Sequence, residues 1–507
     1  MHLYKKSLQS LSASRWMLFF LWLFLIIVSG KVRPLVPSNE LHYSAVAWEM
    51  WIQHSFLVPI QSGIPYPDKP PLLFWLIHLG WFVFGVNNWW PRLVPEIFAL
   101  LSIFVTQAIS LRLWPEKKTI GILSGFILLG SYAWCDYIPR MRFDMLLTFF
   151  SLFALYWGLR SRWFLSGIFI GFGILAKGPV VFLFVLVPWL LFLYCTVKQE
   201  RAHYYLHLLY AVVIGIAIGF CWALPAAHFG GPQFANAIFF NQSLGRVVGA
   251  YGSTPFYYYL KILPAFMFPF FLWKYSWMSL KNIVSDDPRI KFVGLSSVVL
   301  LFIFSLIDQK GLRYLLPWMP LVAILMSALY ACAESQYKPQ RLVTLGCVFV
   351  FLGICVLCSP LYIVYIMHKN FWLPEVSQYW GVLLLVLGCL YLTVKFTDYK
   401  KVIVTLSVTT TLVIIVGLFA VVRIQARYND WTSLAKKAAI LQKSGPVASV
   451  NSEVLFGFIG RFKKPEILIK PANVRIWSQK YPNGWIIIKD HSVSPSQYSL
   501  IRANSFH

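Results

Sequence analysis

Charge is what this sequence has least of. Only 12% of its 507 residues are Asp, Glu, Lys or Arg, about half the ~25% a soluble domain carries. That shortage excludes an ordinary water-soluble enzyme. The 59% hydrophobic content excludes a disordered chain, which needs low hydrophobicity and high charge. Acids are the scarcest group: 18 Asp plus Glu stand against 44 Lys plus Arg, a formal net charge of +26. Cysteine is sparse too. The eight cysteines sit almost entirely in apolar stretches, with none after residue 422, so no disulfide framework is implied. Cys355 and Cys358 have CxxC spacing but lie in an apolar helix with no second ligand pair, which reads as packing rather than zinc. Internal repeats and low-complexity stretches are absent.

What is abundant is apolar and aromatic, with 22 Trp and 42 Phe. Crossing a bilayer takes about 20 apolar residues. The first run, 16–30, follows Lys5, Lys6 and Arg15 and has no small-residue cleavage site before Lys31. It reads as a retained anchor with a cytoplasmic N-terminus, not a removable signal peptide. Further runs lie near 72–86, 92–111, 119–135, 144–159, 163–194, 206–225, 255–273, 292–307, 313–331, 342–365, 378–394 and 402–422. The run 163–194 is too long for one helix and is broken by Lys177-Gly178-Pro179, so it divides into two short spans.

Charge bias sets the topology. If 72–86 lies along the interface instead of crossing, the gaps with Arg112/Lys117/Lys118, Arg160/Arg162, Lys198/Arg201, Lys274/Lys281/Arg289/Lys291, Lys338/Arg341 and Lys395/Lys400/Lys401 all face the cytoplasm. The longer outer loops are then poor in Lys and Arg, as the positive-inside rule requires. Were 72–86 to cross, the bias would reverse. The expectation is therefore an α-helical polytopic membrane protein with about thirteen spans. Its basic charge is explained by topology, which leaves little room for a nucleic-acid reading.

This arrangement gathers the loop 31–91, the turns at 136–143, Lys177 and 308–312, the loop 226–254 and the tail 423–507 on the outer face. The tail is different material. It carries 13 Lys plus Arg against 4 Asp plus Glu. Strand-like stretches at Val447–Val450, Ile467–Lys470 and Trp485–Lys489 are separated by Ser444-Gly445-Pro446 and Pro482-Asn483-Gly484. The division is thus a transmembrane domain, 1–422, and a small extracytoplasmic α/β domain, 423–507. A net charge of +9 in the tail suits a surface rich in phosphate, and a solvated basic face accounts for it nearly as well.

Ionisable residues near hydrocarbon are costly and are seldom kept without a partner. In the first outer loop, Asn39-Glu40-Leu41-His42-Tyr43 leads into Val46, Ala47, Met50 and Trp51 at helical spacing, the pattern of a helix lying flat at the interface. Gly63-Ile64-Pro65-Tyr66-Pro67-Asp68-Lys69-Pro70-Pro71 is a stiff, non-helical segment holding two opposite charges at membrane level. Asp144 opens a span after Arg140-Met141-Arg142-Phe143, which simple dipole compensation would also explain. Lys177 sits in a turn that should dip below the headgroups. Arg246 lies in Asn241-Gln242-Ser243-Leu244-Gly245-Arg246, and Lys310 and Arg313 begin another outer helix, where a cation opposes the dipole. Acids Glu40, Asp68 and Asp144 with cations Lys69, Lys177, Arg246, Lys310 and Arg313 suit cleavage of a phosphate-linked group. Cations would neutralise the leaving phosphate and a carboxylate would take a proton from an incoming hydroxyl.

These residues resemble the lipid-carrier-dependent glycosyltransferases of the C superfamily (GT-C), above all the aminoarabinose lipid A transferases and the bacterial protein mannosyltransferase family. The resemblance rests on Asn39–Met50, Gly63–Leu73 around Asp68-Lys69-Pro70-Pro71, Arg140–Phe150, Leu175–Pro179, Gly245-Arg246 and Gly311–Pro320. It implies an inner-membrane enzyme with thirteen spans and juxtamembrane helices in the first outer loop. It also implies a polyprenyl (undecaprenyl) phosphate sugar donor, an envelope acceptor such as lipid A, another glycan or a protein, a periplasmic active site, and direct transfer with inversion. Lys69 and Arg246 are similar to donor-phosphate contacts, with Lys177 and Arg313 beside them, and Asp144 resembles the second catalytic-loop acid. The family's Asp-Glu is Asn39-Glu40 here, so Glu40, Asp68 and Asp144 are the acids left for catalysis. Where the aminoarabinose enzymes have a histidine that helps hold a metal, this chain has Asn241-Gln242-Ser243, and whether a divalent metal is used stays open. Two rivals remain: a transporter or flippase of a lipid-linked sugar, and a non-catalytic binder of such a lipid.

Overall fold

The computed structural model describes residues 2–33, 35, 39–196, 201–241, 254–284, 286–362, 378–423, 430–450, 455–490 and 497–506. The chain is mostly helical and makes two compact units. One comprises residues 1–32, 95–219 and 244–424; the other comprises residues 33–94, 220–243 and 425–507. The expected boundary at 422 is close to one edge of the second unit, which also takes in most of the first outer loop.

Among the described residues, six helices are long and apolar enough to cross a bilayer: Leu11–Val32, Trp90–Leu113, Ala202–Phe239, Pro288–Leu306, Leu312–Cys332 and Tyr399–Gly417. Seven shorter apolar helices of 10–17 residues accompany them, Leu72–Phe84 included. The run 163–194 is two helices, Trp163–Lys177 and Val181–Thr196, parted at Gly178, whose φ of 81° is cheap only for glycine. The run 255–273 departs from expectation. Its helix covers only Tyr258–Phe266 and is followed by a 3₁₀ turn, Phe270–Leu272, and a short helix, Lys274–Ser279. Pro264 and Pro269 remove backbone donors there, and nine helical residues rise about 14 Å against a hydrocarbon core of about 30 Å.

In the first unit the helix Leu312–Cys332 is the most enclosed span, 89% buried. Water-driven burial does not pack helices in lipid; close approach at small residues does. The helix Trp163–Lys177 shows it. A Cβ on Gly167 would come within 2.7 Å of the Ala211 carbonyl, and one on Gly215 within 2.5 Å of Ile170. Gly171 and Gly219 repeat the contact one turn on, against Ile218 and Ile174. This pairing fixes the helix whose last residue is Lys177.

The second unit is built on a mixed four-stranded sheet, order β4-β3-β5-β6, from Val447–Val450 (β3), Ile467–Ile469 (β4), Trp485–Asp490 (β5) and Gln497–Arg502 (β6). The β3–β4 and β3–β5 pairs are parallel and β5–β6 is antiparallel. Its core gathers Ala448, Val450, Ile469, Trp477, Ile486 and Ala503. The helix Asn39–Ile52 and the helix Leu72–Phe84 are part of the same body. Trp48 donates its indole N–H to the Phe462 carbonyl at 2.9 Å, and Trp81 stacks on Phe458 at 5.3 Å between centroids. A hairpin, Ile60–Gln61 (β1) with Ile64–Pro65 (β2), turns through Ser62 and Gly63 at φ 55° and 76°. Two positive φ angles in succession are what a type I′ turn requires.

Candidate active site

Asp144 is the second residue of the helix Phe143–Gly158, where a negative charge meets the positive end of the helix dipole. It is 3% exposed. One carboxylate oxygen accepts a hydrogen bond from Nζ of Lys177, the last residue of its own helix, where a positive charge suits the negative dipole end. Two helix ends of opposite sign thus present two opposite charges to each other. The Lys177 ammonium also lies 5.0 Å from the ring centroid of Tyr314, and the Arg313 guanidinium lies 5.2 Å from the same ring. Tyr314 belongs to the 3₁₀ segment Leu312–Trp318. A ring face beside two cations is a cation–π arrangement worth about 0.5–2 kcal/mol.

The neighbouring cations have other employment. Lys310 donates to the Thr254 carbonyl at 2.8 Å, and Thr254 in turn bonds Asp308, which ties the loop together. Arg140 makes a bidentate pair with Asp136 at 2.7 and 2.8 Å.

In the second unit Glu40 is 5% exposed and its two oxygens are separately engaged. Oε1 accepts from Nη2 of Arg33, and Oε2 accepts from Nη2 of Arg92 at 3.0 Å. Arg92 also donates to the Arg33 carbonyl at 2.8 Å. One buried carboxylate between two buried guanidinium groups is a fastening, since both of its oxygens already accept charge-assisted bonds. Asp68 is exposed and Lys69 half-buried, and Nζ of Lys69 donates to the Asp68 carbonyl at 2.9 Å.

The structure therefore brings Asp144, Lys177 and Arg313 together in the first unit and places Glu40, Asp68 and Lys69 in the second. Arg246 and the stretch 242–253 lie outside the described residues. Sequence reading did not assign roles to Tyr314, Arg33 or Arg92. Tyr314 was adjacent to a candidate cation, but the arginines could be found only through contacts 7 and 52 residues distant in sequence. Among the described residues, no three His, Cys, Asp or Glu side chains gather as metal ligands.

The site thus lies in an apolar helical body with acids and cations at its helix ends, and known proteins share features of it. Residues 68–222 match the family described as dolichyl-phosphate-mannose-protein mannosyltransferase. The undecaprenyl phosphate-alpha-4-amino-4-deoxy-L-arabinose arabinosyl transferase 2 of Pseudomonas fluorescens (strain Pf0-1) is 27% identical over 64% of this chain and 61% of its own length. The enzyme of the same name from Proteus mirabilis (strain HI4320) is 23% identical over 72% of this chain and 67% of its own. The matched region thus spans only about three-fifths to two-thirds of these relatives. The crystal structure of ArnT from Cupriavidus metallidurans bound to undecaprenyl phosphate superposes with a TM-score of 0.71 at 17% identity, covering 95% of this chain and 93% of that one. The chain has an ArnT-like fold and resembles the aminoarabinose arabinosyl transferases in sequence.

Proposed function

We propose that this chain is a glycosyltransferase that moves a sugar from a polyprenyl monophosphate to an envelope acceptor, working on the periplasmic side of a bacterial inner membrane. The donor class follows the names of the relatives, undecaprenyl phosphate carrying 4-amino-4-deoxy-L-arabinose, and the acceptor class is a lipid A-type glycolipid. In this reading the chain crosses the bilayer thirteen times, with the broken 255–273 segment as one crossing and Leu72–Phe84 along the interface. The residues from 423 onward form the α/β part of the outer face.

The observation that carries the reading is the Asp144–Lys177–Tyr314–Arg313 group, a charged set held at helix ends in an apolar body. Breaking the bond between the sugar's anomeric carbon and the carrier oxygen leaves both electrons on the phosphate. Lys177 and Arg313, with Lys69 and Arg246, neutralise that developing charge, and each such preorganised contact is worth about 3 kcal/mol. Asp144 holds Lys177 in place. The acceptor oxygen attacks the opposite face of the anomeric carbon, which inverts it. A hydroxyl acceptor needs a base, and Asp68 is the exposed one of the three candidate acids. A phosphate acceptor, with a second pKa of about 6, already offers an ionised oxygen and needs none. Asn39 in the position of the family's acid, and Glu40 committed to two arginines, suit a phosphate nucleophile.

The test is transfer in nanodiscs with full-length protein, undecaprenyl-phosphate aminoarabinose and lipid A, followed by mass spectrometry. Sugar-modified lipid A is expected from the wild type and loss of it from Lys69→Ala and Lys177→Ala. A wild type that leaves the donor intact, or variants that match it, would overturn the proposal.

A further inference from the structure

Beside the hairpin of the second unit lies a partly open cleft of about 320 Å³, lined by Gln61, Ser62, Ile64 and Tyr66 on one wall and Ile467 and Leu468 on the other. That volume is at the lower end of small-molecule sites, about 300–1,000 Å³. Both walls are anchored from behind. The carboxylate of Glu49 accepts the amide N–H of Ser62 at 2.9 Å and of Gly63 at 3.0 Å, which pins the hairpin turn. The carboxylate of Glu466 accepts the Ser449 hydroxyl and the amides of Phe456 and Gly457, which pins the residue just before Ile467. Tyr66 is tied at its hydroxyl to Nε2 of His42 at 3.1 Å.

Three features show what such a cleft would hold. The Ser62 hydroxyl oxygen is buried and makes no hydrogen bond among the described residues, so a polar atom on the wall awaits a partner. Ile64 and Leu468 are 68% and 40% exposed, an uncovered apolar pair. β4 is also an edge of its sheet, and exposed Lys463, Lys464 and Lys470 flank it on both sides. Among the described residues no carboxylate forms a salt bridge with these three lysines. Apolar contact, a hydroxyl for hydrogen bonding and three exposed cations together match a phosphorylated sugar.

We propose that the cleft between the Gln61–Tyr66 hairpin and β4 is a docking site for the phosphorylated glycan headgroup of the acceptor glycolipid. The proposal deepens the glycosyltransferase reading, because it places the acceptor on the same unit that carries Asp68 and Lys69. The apolar pair receives the sugar ring, Ser62 and Gln61 its hydroxyls, and the lysines its phosphate.

The experiment uses full-length protein in nanodiscs and three probes: bisphosphorylated lipid A, the same lipid stripped of phosphate, and undecaprenyl phosphate. Two variants are compared with wild type. The triple change Lys463→Ala, Lys464→Ala and Lys470→Ala removes charge, and Leu468→Trp fills the cleft without altering charge. Both should weaken lipid A binding about tenfold, near 1.4 kcal/mol, and raise its KM without changing the donor's KM. Dephosphorylated lipid A should bind the wild type about as weakly as lipid A binds the lysine variant. Undecaprenyl phosphate binding should be unchanged in all three proteins, which also shows that the variants are folded. Equal lipid A affinity in wild type and variants, or equal affinity for the two lipid A forms, would overturn the site. Loss of transfer and of undecaprenyl phosphate binding in the wild type itself would instead sink the glycosyltransferase reading, and lipid A binding would still report on the cleft.

Discussion

The Lys177 ammonium donates to the Asp144 carboxylate across the mouths of two helices, and both side chains are nearly enclosed, 10% and 4% exposed. Removing one member leaves the other buried and uncompensated, at a cost of about 3–5 kcal/mol. Lys177→Met is therefore expected to lower the melting temperature sharply as well as to abolish transfer. Combining it with Asp144→Asn removes the orphaned charge. The double variant should regain most of the melting temperature and none of the activity. A thermal unfolding series read beside a transfer assay checks both halves, and a double variant as unstable as Lys177→Met would deny that the pair is the cause.

Tyr314 separates ring from hydroxyl in its contribution. Its face lies 5.0 Å from the Lys177 ammonium and 5.2 Å from the Arg313 guanidinium, and a phenyl face serves nearly as well there. Tyr314→Phe should keep undecaprenyl phosphate affinity within about threefold, and Tyr314→Leu should weaken it by about tenfold, the equivalent of 1.4 kcal/mol. If the Phe variant loses as much as the Leu variant, the hydroxyl rather than the ring holds the cations' ligand.

Much of this architecture was legible because lipid imposes simple rules. Apolar runs of span length, the Gly178-Pro179 break and the Lys/Arg bias need only local composition, and the two helices either side of Gly178 appear where that break puts them. Three tail strands also appear at or within a residue of their expected places. The fourth, Gln497–Arg502, and the hairpin at Ile60–Pro65 were not read, since each is stabilised by a partner strand more than by its own pattern. The break inside the 255–273 run was not legible from hydrophobicity alone, since Pro264 and Pro269 interrupt its helix. Glu40 reads as a catalytic candidate from its place in the first outer loop and its match to the Glu of the Asp-Glu pair. Its engagement depends on Arg33 and Arg92, and no spacing in the sequence announces that Arg92 turns back on it.

That engagement has its own consequence. A general base replaced by its amide loses its proton-accepting function while the fold survives, and the rate falls by about 10²–10⁴. A fastening replaced by an amide leaves two buried guanidinium groups short of their counter-charge, at about 3 kcal/mol or more. Glu40→Gln is expected to behave as the second kind. The melting temperature should drop, and the folded fraction should transfer sugar with the wild-type pH profile. A stable Glu40→Gln protein with no turnover would identify Glu40 as the base after all.

Two glutamates of the second unit make its stability depend on pH. Burial pushes the carboxyl of Glu49 up to about 7, against the downward pull of the Gly63 and Ser62 amides. Burial likewise pushes Glu466 up to about 7, with the Ser449 hydroxyl and the Phe456 and Gly457 amides opposing and the charge of Glu49 adding to the rise. In the unfolded chain both ionise near 4.5. Between about pH 4.5 and pH 7 the folded state therefore holds more protons than the unfolded one, and stability falls as pH rises. Above 7 both states are ionised and the loss levels off. Each carboxyl accounts for roughly 3 kcal/mol of that decline. An uncharged amide imitates the protonated acid, so Glu49→Gln and Glu466→Gln should each flatten the slope and raise the melting temperature most at pH 8. Thermal unfolding of the full chain at pH 5, 6, 7 and 8 measures it. A wild-type melting temperature that climbs over this interval would place the titration in other groups.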